Sequence, residues 1–108
     1  MQHIKVCIDE CTRCMIICQE TAVHCLENGL IDCAKSLLNC AEICDMCATF
    51  CSRNSFLSEE MMEICRQFCD ACIEVCNKYE QDNEAVKMCA IVCRSCANAC
   101  EEAVAIAA

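Results

Sequence analysis

The stretch CIDECTRCMIIC, residues 7–18, sets four cysteines at steps of four, three and four. Those steps average about 3.7 residues, against about 3.6 per turn of an α-helix. At about 100° per residue, the four sulfurs fall within a stripe about 60° wide. The same spacing recurs at Cys40, Cys44, Cys47 and Cys51, at Cys65, Cys69, Cys72 and Cys76, and at Cys89, Cys93, Cys96 and Cys100. Of the 18 cysteines only Cys25 and Cys33 stand outside the four quartets. Four helices therefore each carry sulfur where an ordinary amphipathic helix carries Leu and Ile.

The chain of 108 residues has room for one core, so residues 1–108 read as a single four-helix-bundle domain. Cysteine at one residue in six is the usage of a disulfide scaffold. Such scaffolds are rich in loops, whereas this chain has no proline and one glycine. Met1–Asp9 contains no apolar signal region, and no apolar run has the length of a membrane span. The expectation is a cytoplasmic chain with reduced thiols and no membrane partner. A net charge of −9 disfavours nucleic acid, whose phosphates are bound by Lys and Arg.

Stop signals separate the quartets. Helix 1 is expected from Gln2 to Glu27, closed by Asn28-Gly29, with Gly29 as a C-terminal cap. Helix 2 is expected from Leu30 to Ser52, and Arg53–Leu57 is the next loop. Ser58 is placed as the cap of helix 3, with Glu59 and Glu60 in its first turn, and the helix ends near Tyr79. Asp82 or Asn83 caps helix 4, which runs to about Ala105. Short connections make sequential helices antiparallel neighbours, so the fold class is an all-α, up-down-up-down four-helix bundle with a cysteine-lined core.

Hairpin geometry predicts which cysteines face each other. The pairs 7/51, 11/47, 14/44, 18/40 and 25/33 all centre on Gly29. Pairs 51/65, 47/69, 44/72 and 40/76 centre on Ser58, and those of helices 3 and 4 centre between Asp82 and Asn83. The result is four stacked tiers, 7/51/65/100, 11/47/69/96, 14/44/72/93 and 18/40/76/89, with Cys25 and Cys33 as a half-tier beyond. The first hairpin is expected to overhang the second and leave that half-tier partly uncovered.

A stripe of thiols is a poor stabiliser and a good soft-metal ligand set, suited to Cu(I), Zn(II) or iron–sulfur clusters. Cysteines four apart on a helix have Cβ atoms about 5–6 Å apart, within reach of a near-linear S–metal–S unit of about 4.6 Å. Cu(I) accepts two or three sulfurs, and one Cu(I) per thiolate leaves a neutral core. Tetrahedral zinc needs four sulfurs at one point, which a straight tube offers only where helices lean together, and it leaves buried negative charge. Iron–sulfur ligation favours short loop spacings. Two other readings stay open: a zinc or mixed d10-metal thiolate buffer, and a disulfide-forming structural or redox protein. No nucleophile–base pair or phosphate loop is present, so no enzyme is expected.

The eight CxxxC pairs, from Cys7/Cys11 to Cys96/Cys100, give the chain a resemblance to the bacterial four-helix-bundle copper storage proteins, in their cytosolic branch without an export signal. The resemblance covers nearly the whole chain. It implies storage of many Cu(I) ions inside the tube, all eighteen cysteines as ligands and a homo-tetramer. It also implies Met, His or polar ligands at a tube mouth. The expected partners are copper ions and a copper chaperone or small-thiol donor or acceptor.

His24, next to Cys25, is a candidate entrance ligand or simply a solvated residue, and His3 is read as surface. Met61 and Met62 at the opposite end are either thioether ligands or packing. Met15, Met46 and Met88 are read as packing. Ile4, Ile8, Met15, Ile43, Phe50, Ile64, Phe68, Ile73, Val75 and Val92 flank the stripes and are expected to seal the tube. Ile16, Val23, Leu38 and Ile91 point away from it and suggest an oligomer face. The expected route for copper is the end that carries Cys25 and Cys33.

Overall fold

The computed structural model describes residues 2–79, 81 and 83–107. Four helices follow in order: α1 (Gln2–Glu27), α2 (Ile31–Ser52), α3 (Ser58–Asn77) and α4 (Glu84–Ala107). Each packs on the next, and α1 also packs on α4, so the helices form a closed ring of antiparallel neighbours. The bundle measures 40 × 19 × 17 Å. Among the described residues no helix is long and apolar enough to cross a membrane.

The helix ends follow from local chemistry. Gly29 takes φ 75°, the left-handed conformation that closes a helix at least cost. Leu30 N–H donates to the Cys25 carbonyl at 2.8 Å and Gly29 N–H to Leu26 at 3.3 Å, the paired bonds of a Schellman motif. α2 closes the same way with asparagine. Asn54 takes φ 52°, Ser55 N–H donates to Phe50 and Asn54 N–H to Cys51, each at 3.1 Å. The expected Arg53–Leu57 loop therefore opens as a capping motif.

Ser58 corrects the expectation for α3. It is the first helical residue, not the cap; Leu57 holds the cap position and offers no side-chain bond. The Ser58 hydroxyl donates instead to the Phe50 carbonyl at 3.3 Å, fastening the start of α3 to the end of α2. For α4, Asn83 is the cap: its Oδ1 accepts from Val86 N–H at 3.1 Å. The alternative cap, Asp82, lies outside the described residues. α4 continues two residues past the expected Ala105, to Ala107.

The core is sulfur bordered by small residues. Ala22, Ala34, Ala41, Ala90, Ala97 and Ala103 are buried beside the cysteines. The larger buried side chains Leu37 and Val86 lie towards the Gly29 end, and Met62 lies towards the other. Outside, Asp70 accepts from Arg66 on its own helix at 2.8 Å and from Arg94 on α4 at 3.2 Å. Exposed pairs of this kind stabilise by about 0–1 kcal/mol, so the buried faces decide the fold.

Candidate metal centre

All eighteen cysteines are free thiols and all are buried; seventeen have no solvent exposure and Cys51 has 4%. The stripe geometry therefore holds on every helix. Along α1 the CxxxC partners Cys7/Cys11 and Cys14/Cys18 bring their sulfurs to 4.0 and 3.8 Å, and Cys40/Cys44 on α2 come to 4.0 Å. Between α1 and α4 the expected facing pairs meet: Cys7/Cys100 at 3.6 Å, Cys11/Cys96 at 3.7 Å, Cys14/Cys93 at 3.8 Å and Cys18/Cys89 at 3.7 Å.

The flat tiers do not survive between α2 and α3. Cys44 meets Cys65 at 3.7 Å and Cys69 at 4.0 Å rather than Cys72, and Cys40 meets Cys69 at 3.7 Å rather than Cys76. These pairs centre near Ser55, within the connection, instead of Ser58, because Ser58 already belongs to α3. The sulfurs consequently interleave. Four groups of four lie within 4.8 Å of one another: 7/11/47/100, 11/65/96/100, 14/44/69/96 and 14/18/40/93. Only the third takes one cysteine from each helix, and it is none of the expected tiers.

The interleaved sulfurs bear on which metal fits. A trigonal ion with bonds of about 2.3 Å spaces its sulfurs by about 4.0 Å, and a tetrahedral one by about 3.8 Å. Contacts of 3.6–4.0 Å suit both, so convergence alone does not exclude zinc, contrary to the straight-tube expectation. What distinguishes the metals is sharing. Cys11, Cys14, Cys96 and Cys100 each belong to two groups. At most two groups are free of overlap, so isolated four-thiolate sites cannot use the whole lattice. Low-coordinate ions joined by bridging thiolates can.

The thiols also polarise one another. Hydrogen bonds from Cys100 and then Cys11 hold Cys7 down at about 5. Burial, followed by the charge of Cys25, pushes Cys33 up to about 12. Burial likewise raises Cys25. At Cys51 a hydrogen bond from Cys47 favours the thiolate, but the contact with Cys7 and burial outweigh it and set the group at about 11.

The expected open end is closed. Cys25 and Cys33 have no exposure, and their thiols are favoured over thiolates. Leu30 and Tyr79 pack against the core at that end, where a depression of about 330 Å³ is lined by Asn28, Leu30, Lys78, Tyr79, Gln81 and Asn83 and reaches no sulfur. His24 is half-buried beside Cys25, and its carbonyl accepts from the Asn28 amide at 2.8 Å. At the other end a cleft of about 230 Å³ is lined by Cys51 together with Ile4, Lys5, Ile8, Ser52 and Asn54. Met62 borders an adjoining depression of about 420 Å³; it is fully buried and Met61 is 8% exposed. Cys51 lines the cleft as the last quartet member before a loop, a position in the sequence that signals a place at the end of the tube. His3 pairs with Glu102 at 3.6 Å on the surface.

Most of the expected sealing residues do pack on the core: Ile73 and Val92 are buried, and Ile4, Ile8, Met15, Ile43 and Val75 are half-buried against it. Ile64 and Phe68 do not; at 40% and 38% exposure they lie on the outer flank of the narrow α3 stripe. Ile16, Val23, Leu38 and Ile91 are exposed, as the pattern predicts.

Comparisons with known proteins converge on one family. Residues 1–105 match the profile of the copper storage protein family, Csp. No curated protein matches the chain. A solved structure of a cytosolic copper storage protein from Streptomyces lividans, carrying five coppers, superposes with a TM-score of 0.91 at 30% identity, over 96% of this chain and 93% of that one. The Streptomyces lividans protein loaded with 10 copper equivalents gives 0.91 at 30% identity, over 96% and 85%. The apo form of copper storage protein 3 from Bacillus subtilis gives 0.85 at 30% identity, over 93% and 97%.

Proposed function

The chain belongs to the copper storage protein family, and from that premise we propose a cytosolic Cu(I) store in which all eighteen cysteines are ligands. The observation that carries this reading is the overlap of the four-sulfur groups through Cys11, Cys14, Cys96 and Cys100. Shared thiolates let two- and three-coordinate ions line the tube at about one Cu(I) per thiolate, and each such unit is neutral. The five and ten coppers carried by the Streptomyces protein support a many-ion cargo. Residues 1–108 act as one domain whose chemistry is ligation and release, without turnover.

Copper enters past Cys51, with Met61 and Met62 as thioether ligands, because Cys51 lines a surface cleft and keeps 4% exposure where the other cysteines have none. His24 lies at the opposite, closed end and is assigned no part in entrance. The donor and acceptor are a copper chaperone or a small thiol able to reach the Cys51 cleft. The exposed apolar residues Ile16, Val23, Leu38 and Ile91 contribute to a homo-tetramer.

The test sets the two metals against each other. Reduced apo-protein is offered Cu(I) and Zn(II) together under a competing chelator. The proposal expects Cu(I) to fill the chain and zinc to remain with the chelator. A chain that retains zinc and surrenders Cu(I) would overturn it.

A further inference from the structure

Two of the four-sulfur groups share no sulfur, and in each, three of the six sulfur–sulfur distances already match a tetrahedral divalent site, with the rest within 4.8 Å. A metal–sulfur bond of about 2.3 Å requires sulfurs about 3.8 Å apart at the corners of a tetrahedron. In the group 11/65/96/100, Cys11 lies 3.8 Å from Cys65, 3.9 Å from Cys100 and 3.7 Å from Cys96. In the group 14/18/40/93, Cys14 lies 3.8 Å from both Cys18 and Cys93, Cys18 lies 3.7 Å from Cys93, and Cys40 closes the group within 4.8 Å of all three. These two groups have no sulfur in common. We infer that the copper-free bundle holds two zinc-class divalent ions per chain, one in each of these preformed cages.

The limit of two follows from the overlaps. Successive groups share Cys11 and Cys100, then Cys96, then Cys14, so every choice of three closed cages reuses a sulfur. Each ion displaces four thiol protons to solvent and leaves a buried unit of charge −2. That charge is costly in a core without compensating cations. The divalent ions are therefore guests that occupy an already assembled lattice and yield to Cu(I), whose thiolate units are neutral.

Co(II) is the probe, because tetrahedral four-thiolate Co(II) gives intense visible d–d bands. Reduced apo-protein titrated with Co(II) is expected to saturate those bands at two ions per chain. Cys100→Ser removes both groups of one half and is expected to leave one ion. Cys14→Ser removes both groups of the other half and is also expected to leave one. The double variant is expected to bind none tetrahedrally, whereas Cys25→Ser keeps two. Zn(II) is expected to bleach the bands at two equivalents in the wild type, a readout that needs no variant. Absence of the bands, saturation above two, or unchanged stoichiometry in helical Cys100→Ser and Cys14→Ser proteins would overturn the inference. A parallel Cu(I) titration separates the two ideas: full copper loading without Co(II) binding sinks this inference and spares the storage reading.

Discussion

The sulfurs of Cys7 and Cys100 lie 3.6 Å apart across 93 residues of chain, joining an early turn of α1 to a late turn of α4. That contact closes the ring of helices, and the Ser95 hydroxyl repeats the closure outside by donating to Glu10 at 3.0 Å. The thiols reach one another through packing of protein atoms, with alanines beside them. A zinc finger differs, because its ligands converge only around the metal.

The reduced, chelator-treated protein is therefore expected to be helical. Far-UV circular dichroism checks this directly: a helical spectrum that changes little on copper addition fits the packed core. A random-coil spectrum would mean that metal assembles the bundle.

Alkali should weaken the apo fold. The Cys33 thiol is raised from 9.0 to about 12, first by burial. A group whose folded value lies above its unfolded value binds its proton more tightly in the fold. Its stabilisation is complete below pH 9 and is lost as pH climbs towards 12, at about 1.4 kcal/mol per pH unit. Cys7, held at about 5, works in the opposite sense at lower pH, and its contribution is already complete above 9. The unfolding free energy of reduced apo-protein, read from denaturation curves, should fall between pH 8.5 and 10.5 by up to about this slope, and less steeply in Cys33→Ala. A flat profile would contradict the assignment.

An oligomer should depend on the outward apolar residues. Ile91 borders a groove between α3 and α4 with Ile73, Ala90 and Arg94, and Leu38 is exposed on α2. Ile91→Lys with Leu38→Lys is expected to lower the mass seen by light scattering. A wild-type monomer at micromolar concentration would refute the tetramer.

Exchange kinetics should identify the mouth. Cys51→Ser and Met62→Leu are expected to slow copper loading and chelator-driven removal several-fold. Cys25→Ser with Cys33→Ser should lower capacity by about two ions at the wild-type rate, on one ion per thiolate. Slow exchange in the Cys25/Cys33 variant alone would move the mouth to the Gly29 end.

Much of this was legible in the sequence because helical period and stop residues are local signals. Gln2–Glu27 was delimited by Asn28-Gly29, and Asn83 was a recognisable cap for α4. The facing of α1 on α4 also followed, with Cys14 on Cys93 and Cys18 on Cys89. The offset of α2 on α3 was hidden because a 4-3-4 repeat pairs acceptably in several registers. The register was set by the Asn54 cap and by Ser58 entering the helix, which moved the centre of the hairpin. The closure of the end that carries Cys25 and Cys33 was hidden because Leu30 and Tyr79, which pack against the core there, come from different connections and are brought to one end only by the fold. The cleft that Cys51 lines together with Ile4 and Asn54 is again a product of tertiary packing.

The central claim is that the overlapping thiols act as one lattice, and its most direct measurement is the Cu(I) capacity of the reduced apo-protein under anaerobic titration against a chelator. With one ion per thiolate the account predicts roughly 15–20 Cu(I) per chain, falling when a cysteine of any quartet becomes serine. Saturation at about four or fewer, unchanged by loss of a quartet cysteine, would contradict it.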